Sequence, residues 1–154
     1  MTFCIQCIFT GIIQSNSAMY EKDYIMRMVE AFSRMIARIM GLREKGELDE
    51  AEALILEAYD TILKIDPDTL RSFDDKAWDS FCRERTPQEL EMIADLFRME
   101  GEIRIDLGDH EGVYRLLYKS LELLKYVDDH THTFSVVRFD KISSLEQKLS
   151  GADY

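Results

Sequence analysis

Proline and glycine are sparse in this chain, and their scarcity restricts the possible folds more than any other feature. The 154 residues include only seven glycines and two prolines, Pro67 and Pro87. Proline interrupts helices and central strands, and glycine marks turns, so long stretches of the chain are free of both signals. An all-β fold of short strands needs frequent turns. The sequence therefore predicts helices rather than strands.

Apolar residues recur at helical spacing in six segments of the chain. In the first segment Ile25, Met28, Phe32, Ile36 and Ile39 lie on one helical face. A chain of this length makes one domain with a sizeable core more readily than two domains. The pattern predicts an all-α domain of about six helices, arranged as three antiparallel hairpins. The predicted helices span about residues 20–45, 49–65, 72–82, 86–107, 110–127 and 137–149.

The clearest local signal is the tetrapeptide that begins at Thr86. Thr86 suits the N-cap position, Pro87 suits the first helical position, and Glu89 completes a capping box. Apolar residues then form two faces on the helix that runs to about Leu107. A helix that is apolar on two sides is packed between neighbours. This segment is therefore predicted to lie inside a stack of helices.

Two stretches of the chain, residues 42–63 and residues 103–124, follow the same pattern. Each contains the end of a helix, a glycine followed by an acidic residue, and a second helix with small or apolar residues at matching offsets. Their turn glycines, Gly46 and Gly108, are 62 positions apart. Aligned on these glycines, Ala51 corresponds to Val113. The pattern indicates two related helical hairpins.

With these features the chain resembles the tetratricopeptide repeat family over about residues 30–127. That family has a glycine-acid turn, an alanine five residues after the glycine, and a proline that closes the second helix. The residues that fit are Gly46, Ala51, Ala58, Pro67, Gly101 and Gly108. The resemblance implies a right-handed superhelical stack of hairpins that binds a protein or a peptide.

The first eighteen residues differ in composition from the rest, because they contain no charged residue. We therefore divide the chain into an apolar leader, residues 1–18, and a single helical domain, residues 19–150. Three interpretations of the leader remain open: upstream sequence before a true start at Met19, a native N-terminal arm, or an export signal. A secretory signal normally carries a basic residue before its apolar core, and none precedes it here. Its Cys4 and Cys7 form a C-x-x-C without the further ligands of a zinc site.

The segment that begins at Met19 also resembles the start of a group of small bacterial proteins of unknown function that are helical and repeat-like. In that group such a methionine begins the protein, which favours Met19 as the start. The group has no assigned activity, so the resemblance implies a helical architecture and a bacterial source but no chemistry.

The chain is acidic, with a formal net charge of −11. Nucleic acids and anionic membrane surfaces are bound mainly by clustered lysine and arginine, so neither is an expected partner. Three cysteines, an odd count with Cys82 far from the other two, do not form a disulfide framework. We therefore expect a cytoplasmic protein.

Binding of another protein is the function that these patterns favour. No phosphate-binding loop, nucleophile elbow or zinc-protease motif occurs, so we expect neither catalysis nor a cofactor. Helical-hairpin stacks commonly present a groove to a peptide, a protein or a second copy of the same chain. Tyrosines one turn apart and cations, all within residues 103–124, could line such a groove. The candidate binding residues are Arg104, Tyr114, Arg115, Tyr118 and Lys119.

A metal or small-ligand site is the alternative function. The segment from Asp128 to His132 contains Asp128, Asp129, His130 and His132, so two carboxylates and two imidazoles lie within five residues. Histidines two positions apart suit a loop chelate, although further ligands would have to come from elsewhere. The competing interpretation is a polar loop between helices, with Asp or Thr capping the last helix.

Overall fold

The computed structural model describes the backbone of residues 5–151 and the side chains of residues 17–151. This part of the chain is helical and contains no strand, as the sequence predicts. It has seven α-helices rather than about six. They are α1 (Ile5–Lys45), α2 (Leu48–Ala58), α3 (Pro67–Ser72), α4 (Asp75–Glu84), α5 (Pro87–Leu107), α6 (Val113–His130) and α7 (Val136–Ser150).

The additional helix results from the way α2 ends. A π-helical turn, Tyr59–Leu63, follows α2, and Lys64 then adopts a left-handed backbone conformation with φ of 52°. The helix therefore ends before residue 65, the end that the apolar periodicity predicts. The Asp66 side chain caps the short α3 through the Thr69 N–H, with Pro67 at the start of that helix. α3 has only six residues and so contains a single helical repeat of apolar positions, which is too little to identify a helix from the sequence.

The start of α4 also differs from the prediction. The predicted helix starts at residue 72, whereas α4 starts at Asp75, and the Asp74 carboxylate caps it by accepting the Ala77 N–H at 2.8 Å. Ser72 instead ends α3 and donates its hydroxyl to the Thr69 carbonyl. An aspartate directly before the first helical residue can satisfy an N–H of the first turn, and this geometry decides the helix start.

α5 is the central helix of the stack. The capping box predicted at its start is confirmed: Glu89 N–H donates to the Thr86 hydroxyl, and the Glu89 carboxylate accepts the Thr86 N–H. Both apolar faces of α5 are buried, as the two-faced pattern predicts. α5 packs most extensively on α6 and also contacts α2 and α1, while α1 packs on α2, and α6 on α7. These contacts join five of the helices, and Leu70 of α3 and Trp78 of α4 belong to the same hydrophobic core.

Gly101 lets α5 and α6 approach closely. A Cβ atom added at Gly101 would lie 3.0 Å from Leu117 Cδ2 and 3.3 Å from Leu117 Cγ. Leu117 is completely buried, so the two helices meet without room for a larger residue. The glycine of the predicted repeat unit is therefore a packing residue in α5.

Two acidic residues, Glu100 and Glu102, are buried in α5 among the apolar core. Glu102 accepts hydrogen bonds from Arg43 of α1, Arg98 of α5 and Lys148 of α7. Buried carboxylates are tolerated when cations satisfy them. The Glu102 cluster therefore ties the outer helices α1 and α7 to α5.

The proposed division at residue 18 falls within α1, which begins at Ile5. The first buried side chain of α1 among residues 17–45 is Met28, whereas Met19, Tyr20 and Tyr24 are more than half exposed. The Cys4 and Cys7 side chains lie outside the described residues. None of the helices, over the residues described, combines the length and apolar character that a membrane span requires.

Candidate functional site

A partly enclosed cavity of about 190 Å³ lies between the α3–α4 segment and the α5–α6 hairpin. Its apolar walls combine aromatic and aliphatic side chains from all four helices and the turn after α3. Trp78, the single tryptophan of the chain, belongs to both the core and the cavity wall. The apolar lining residues are Leu70, Phe73, Trp78, Phe97 and Leu116.

Local capping interactions hold the α3–α4 side of the cavity. The Asp66 cap orients α3, which carries Leu70 and Arg71, and the Asp74 cap orients α4, which carries Trp78. The hydroxyl of Thr69 also donates to Asp66, and this hydrogen bond lowers the pKa of the Asp66 carboxyl. Two short helices thereby present a cation and an aromatic ring toward α5 and α6.

Every charged side chain among the described residues that line the cavity is cationic. Two come from α6, one from α5 and one from α3, and no carboxylate contributes to the lining. A chain with a net charge of −11 therefore concentrates positive charge at one cavity. A low-dielectric recess lined by one sign of charge attracts the opposite charge. The four cations are Arg71, Arg104, Arg115 and Lys119.

Glu100 positions two of these cations from behind the cavity. One carboxylate oxygen of Glu100 accepts hydrogen bonds from both Arg71 and Arg104, the latter at 3.0 Å. The other oxygen accepts the Tyr59 hydroxyl at 3.5 Å. Burial raises the pKa of the Tyr59 hydroxyl well above 10.0, and the negative charge of Glu100 adds to this shift. Tyr59 therefore stays a neutral hydrogen-bond donor to Glu100.

The two cations of α6 have different surroundings. Lys119 Nζ lies 4.4 Å from the centroid of the Trp78 ring and also forms an ion pair with Glu122 at 2.7 Å. This cation–π contact joins α6 to α4 across the cavity. Arg115 donates from Nη2 to the backbone carbonyl of Arg71 at 2.8 Å. No carboxylate forms an ion pair with Arg115 in the described part of the chain.

The structure brings three of the five candidate binding residues together. Arg104, Arg115 and Lys119 line the cavity. Tyr114 and Tyr118 lie on α6 beside Arg115 and Lys119 in sequence but outside the cavity lining. Their rings stack with centroids 6.2 Å apart and remain 51% and 44% exposed. The tyrosines thus form an exposed aromatic pair.

The sequence analysis did not identify the half of the cavity that α3 and α4 contribute. Neither Arg71 nor Trp78 was among the candidate binding residues. One signal was present: Glu100 interrupts the otherwise apolar faces of α5. A carboxylate at such a position needs a cationic partner, and the partners are Arg71 and Arg104.

The segment from Asp128 to His132 is organised by a guanidinium group. Arg138 of α7 is buried and donates to the Asp128 carboxylate at 2.9 Å, to Glu91 at 2.8 Å and to the Thr133 carbonyl at 2.7 Å. Hydrogen bonding to Glu91 raises the pKa of Arg138, so its charge is permanent. Asp128 therefore already has a cationic partner.

The remaining acidic and histidine residues of this segment do not converge on a common point. The His130 ring stacks on Tyr126, with centroids 3.9 Å apart, and its Nδ1 lies 2.8 Å from the Tyr126 carbonyl. Asp129 and His132 are exposed. Within residues 17–151, no group of three or more His, Cys, Asp or Glu side chains is arranged to hold a metal ion.

Cys82 on α4 is buried next to the Trp78 region of the core. Burial raises the pKa of its thiol to about 11, with a further contribution from the charge of Asp79. The thiolate is the nucleophilic form, so this cysteine is unreactive near neutral pH.

The cavity itself combines four cations with aromatic rings, so it is suited to binding an anion that has an apolar part.

Comparisons of this chain with protein-family models, with curated proteins and with solved structures gave no match.

Proposed function

We propose that this protein is a non-enzymatic scaffold that binds an acidic, partly aromatic or aliphatic segment of another protein. The cavity between the α3–α4 segment and the α5–α6 hairpin is called the α3–α6 cavity below. The observation that carries the proposal is that all its charged lining residues are cationic in a strongly acidic chain. Charge complementarity between such a recess and an acidic segment speeds association and selects the partner. Arg104, Arg115 and Lys119 would contact the acidic groups.

The exposed tyrosine pair extends this surface along α6. Aromatic side chains are enriched at the centres of protein interfaces, because they bury a large area at a small cost in side-chain entropy. Tyr114 and Tyr118 stack on each other and are about half exposed. In this proposal the acidic group of the partner enters the cavity while neighbouring apolar residues cover the tyrosines.

A tetratricopeptide-like stack is the architecture that we propose for this scaffold. The α1–α2 and α5–α6 pairs are the two units with similar sequences, and the contact between α2 and α5 joins them. The α3–α4 segment between the units supplies the cavity wall. A bacterial, cytoplasmic location is part of the same proposal, and the free, buried thiol of Cys82 is compatible with a reducing compartment.

A peptide array tests this function directly. Random 12-residue peptides are probed with the purified protein, and we expect the bound set to be enriched in Asp or Glu next to aromatic or aliphatic residues. The R115E/K119E variant should lose this preference, because two cavity cations become acids. The R83E/K125E variant changes the net charge equally on exposed side chains outside the cavity and should keep it.

The array result also defines what would contradict the proposal. An array without acidic enrichment would exclude an acidic partner segment. Equal effects of the two variants would show that overall charge, rather than the cavity, determines binding. Circular dichroism of both variants confirms that each retains its helical content before the arrays are compared.

A further inference from the structure

We propose that the α3–α6 cavity binds a small organic monoanion, in which an aromatic or branched apolar body ends in a carboxylate. The inference deepens the proposed function, on which it rests for the location of the site. It adds the chemical class of the group that enters the cavity. This group can be a free acid or the last residue of a peptide, because both present the same chemistry.

The size of the cavity limits the ligand to one ring-sized group. Pockets for drug-sized molecules measure roughly 300–1,000 Å³. A protein cavity of roughly 150 Å³ holds one benzene molecule. The cavity here, at about 190 Å³, therefore accommodates a single ring or branched chain with a small polar substituent.

The charge balance around the cavity favours a single negative charge. Arg71 and Arg104 share the Glu100 carboxylate, and Lys119 pairs with Glu122. In the region that the structure describes, Arg115 is the cavity cation without a carboxylate partner, and it donates to the backbone carbonyl of Arg71. One uncompensated guanidinium matches one carboxylate, which it can bind through two parallel N–H groups.

The apolar walls define the body of the ligand. Trp78 and Phe97 face each other with centroids 6.5 Å apart, and Phe73 and Leu116 complete the wall. Lys119 above the Trp78 ring adds a second cation beside the aromatic surface. A carboxylate on an apolar body satisfies both parts of the lining, whereas an inorganic anion leaves the rings without a partner.

Trp78 provides the measurement, because it is the only tryptophan and lies in the cavity wall. We expect phenylacetate to change Trp78 fluorescence with a saturable dependence on concentration. Phenylacetamide, its neutral isostere, should bind at least ~10-fold more weakly, which corresponds to ~1.4 kcal/mol. Acetate, which lacks the ring, should give no saturation in the same range, and phenylphosphonate should not bind more tightly than phenylacetate.

Substitution of the unpaired guanidinium tests the site. R115Q should weaken phenylacetate binding at least ~10-fold without changing the fold, because Arg115 is exposed. R83Q, which changes an exposed arginine of α4 outside the cavity, should bind like the unmodified protein. Equal affinities for phenylacetate and phenylacetamide, or an R115Q variant with unchanged affinity, would overturn the inference.

The two sources of the ligand and the two proposals can be separated. Tighter binding of acetyl-Ala-Ala-Phe than of phenylacetate identifies a peptide end as the source, whereas equal or weaker binding identifies a free acid, and both results support the inference. If phenylacetate and this peptide fail to bind while the array still selects acidic segments through Arg115 and Lys119, the inference is wrong and the proposed function stands. If phenylacetate binds and the array selects nothing, the proposed function is wrong and the inference stands.

Discussion

Two glycines in helices of this protein have opposite surroundings, so adding a Cβ atom should have opposite effects on stability at the two positions. Gly101 of α5 faces the buried Leu117, whereas a Cβ added at Gly41 of α1 has no neighbour within 4 Å apart from the adjoining residues of its own helix. Glycine lowers helix stability relative to alanine by roughly 0.5–1 kcal/mol. We therefore predict that G41A raises the free energy of unfolding by about this amount.

The same substitution in α5 should act in the opposite direction. In G101A the new methyl group presses on Leu117, which is completely buried, and overpacking of this kind costs about 1–3 kcal/mol. We predict a net loss of about 1–2 kcal/mol after the gain in helix propensity. Urea unfolding of both variants measures the difference, and a stabilised G101A would show that α5 and α6 are not packed as described.

Glu102 is a buried carboxylate with three cationic partners. Its three cationic partners come from α1, α5 and α7 and keep part of their hydration, since their side chains are 24–39% exposed. We predict that E102Q lowers the free energy of unfolding by about 2–3 kcal/mol, less than the roughly 3–5 kcal/mol of a fully buried pair. E57Q, at an exposed position of α2, should have little effect.

The acid dependence of stability should change in the same variant. Burial raises the pKa of Glu102, but the hydrogen bond from Lys148 and the charges of Arg98, Lys148 and Arg43 outweigh burial and lower it below 4.5. A lowered native pKa stabilises the fold above pH 4.5, and this contribution is lost as the pH falls through the native pKa. The difference in the free energy of unfolding between the unmodified protein and E102Q should therefore be constant well above pH 4.5 and shrink as the pH falls below 4.5 through the native pKa.

At the scale of helices, the exposed aromatic pair of α6 should contribute to binding rather than to stability. Tyr114 and Tyr118 are about half exposed, so Y114A/Y118A should change the free energy of unfolding little. We predict that it weakens binding of array-selected peptides by about 5–30-fold, or ~1–2 kcal/mol, as for aromatic interface residues. Y24A, at a similarly exposed tyrosine of α1, is the matched control, and equal affinities for the two variants would exclude α6 as the docking surface.

Most helices could be predicted from the sequence because their signals are local. The capping box at Thr86 and the apolar periodicity of α5 and α6 depend on residues that are neighbours within one helix. The π-helical turn after α2, the six-residue α3 and the cap of α4 at Asp74 were missed. These features depend on backbone geometry over a few residues, and periodicity contains too few repeats there to identify them.

The cavity could be predicted only in part, for a related reason. The cations on α5 and α6 were candidates because they lie on the repeat-like unit. Arg71 and Trp78 belong to the α3–α4 segment, and only the tertiary structure brings them to Arg104 and Lys119. The ion pair between Arg71 and Glu100 likewise forms only in the tertiary structure, because the two residues are 29 positions apart in sequence.

For the whole molecule, we predict that a chain beginning at Met19 keeps the same fold and stability. Among the described side chains of α1, burial begins at Met28, and the residues from 17 to 24 are exposed. The change in the free energy of unfolding between the full chain and the shorter chain should lie within about 0.5 kcal/mol, as for exposed sites. A loss of several kcal/mol would show that residues 1–18 belong to the folded domain.

The central claim is that the cationic cavity is the place where this protein binds an anionic group, and NMR titration tests it most directly. Phenylacetate is added to ¹⁵N-labelled protein while the single indole N–H, that of Trp78, is followed with the backbone amides. We predict saturable shifts of the Trp78 indole and of amides in residues 70–73 and 112–119, with no shifts in residues 128–132. An unchanged Trp78 resonance, or shifts confined to another part of the chain, would contradict the claim.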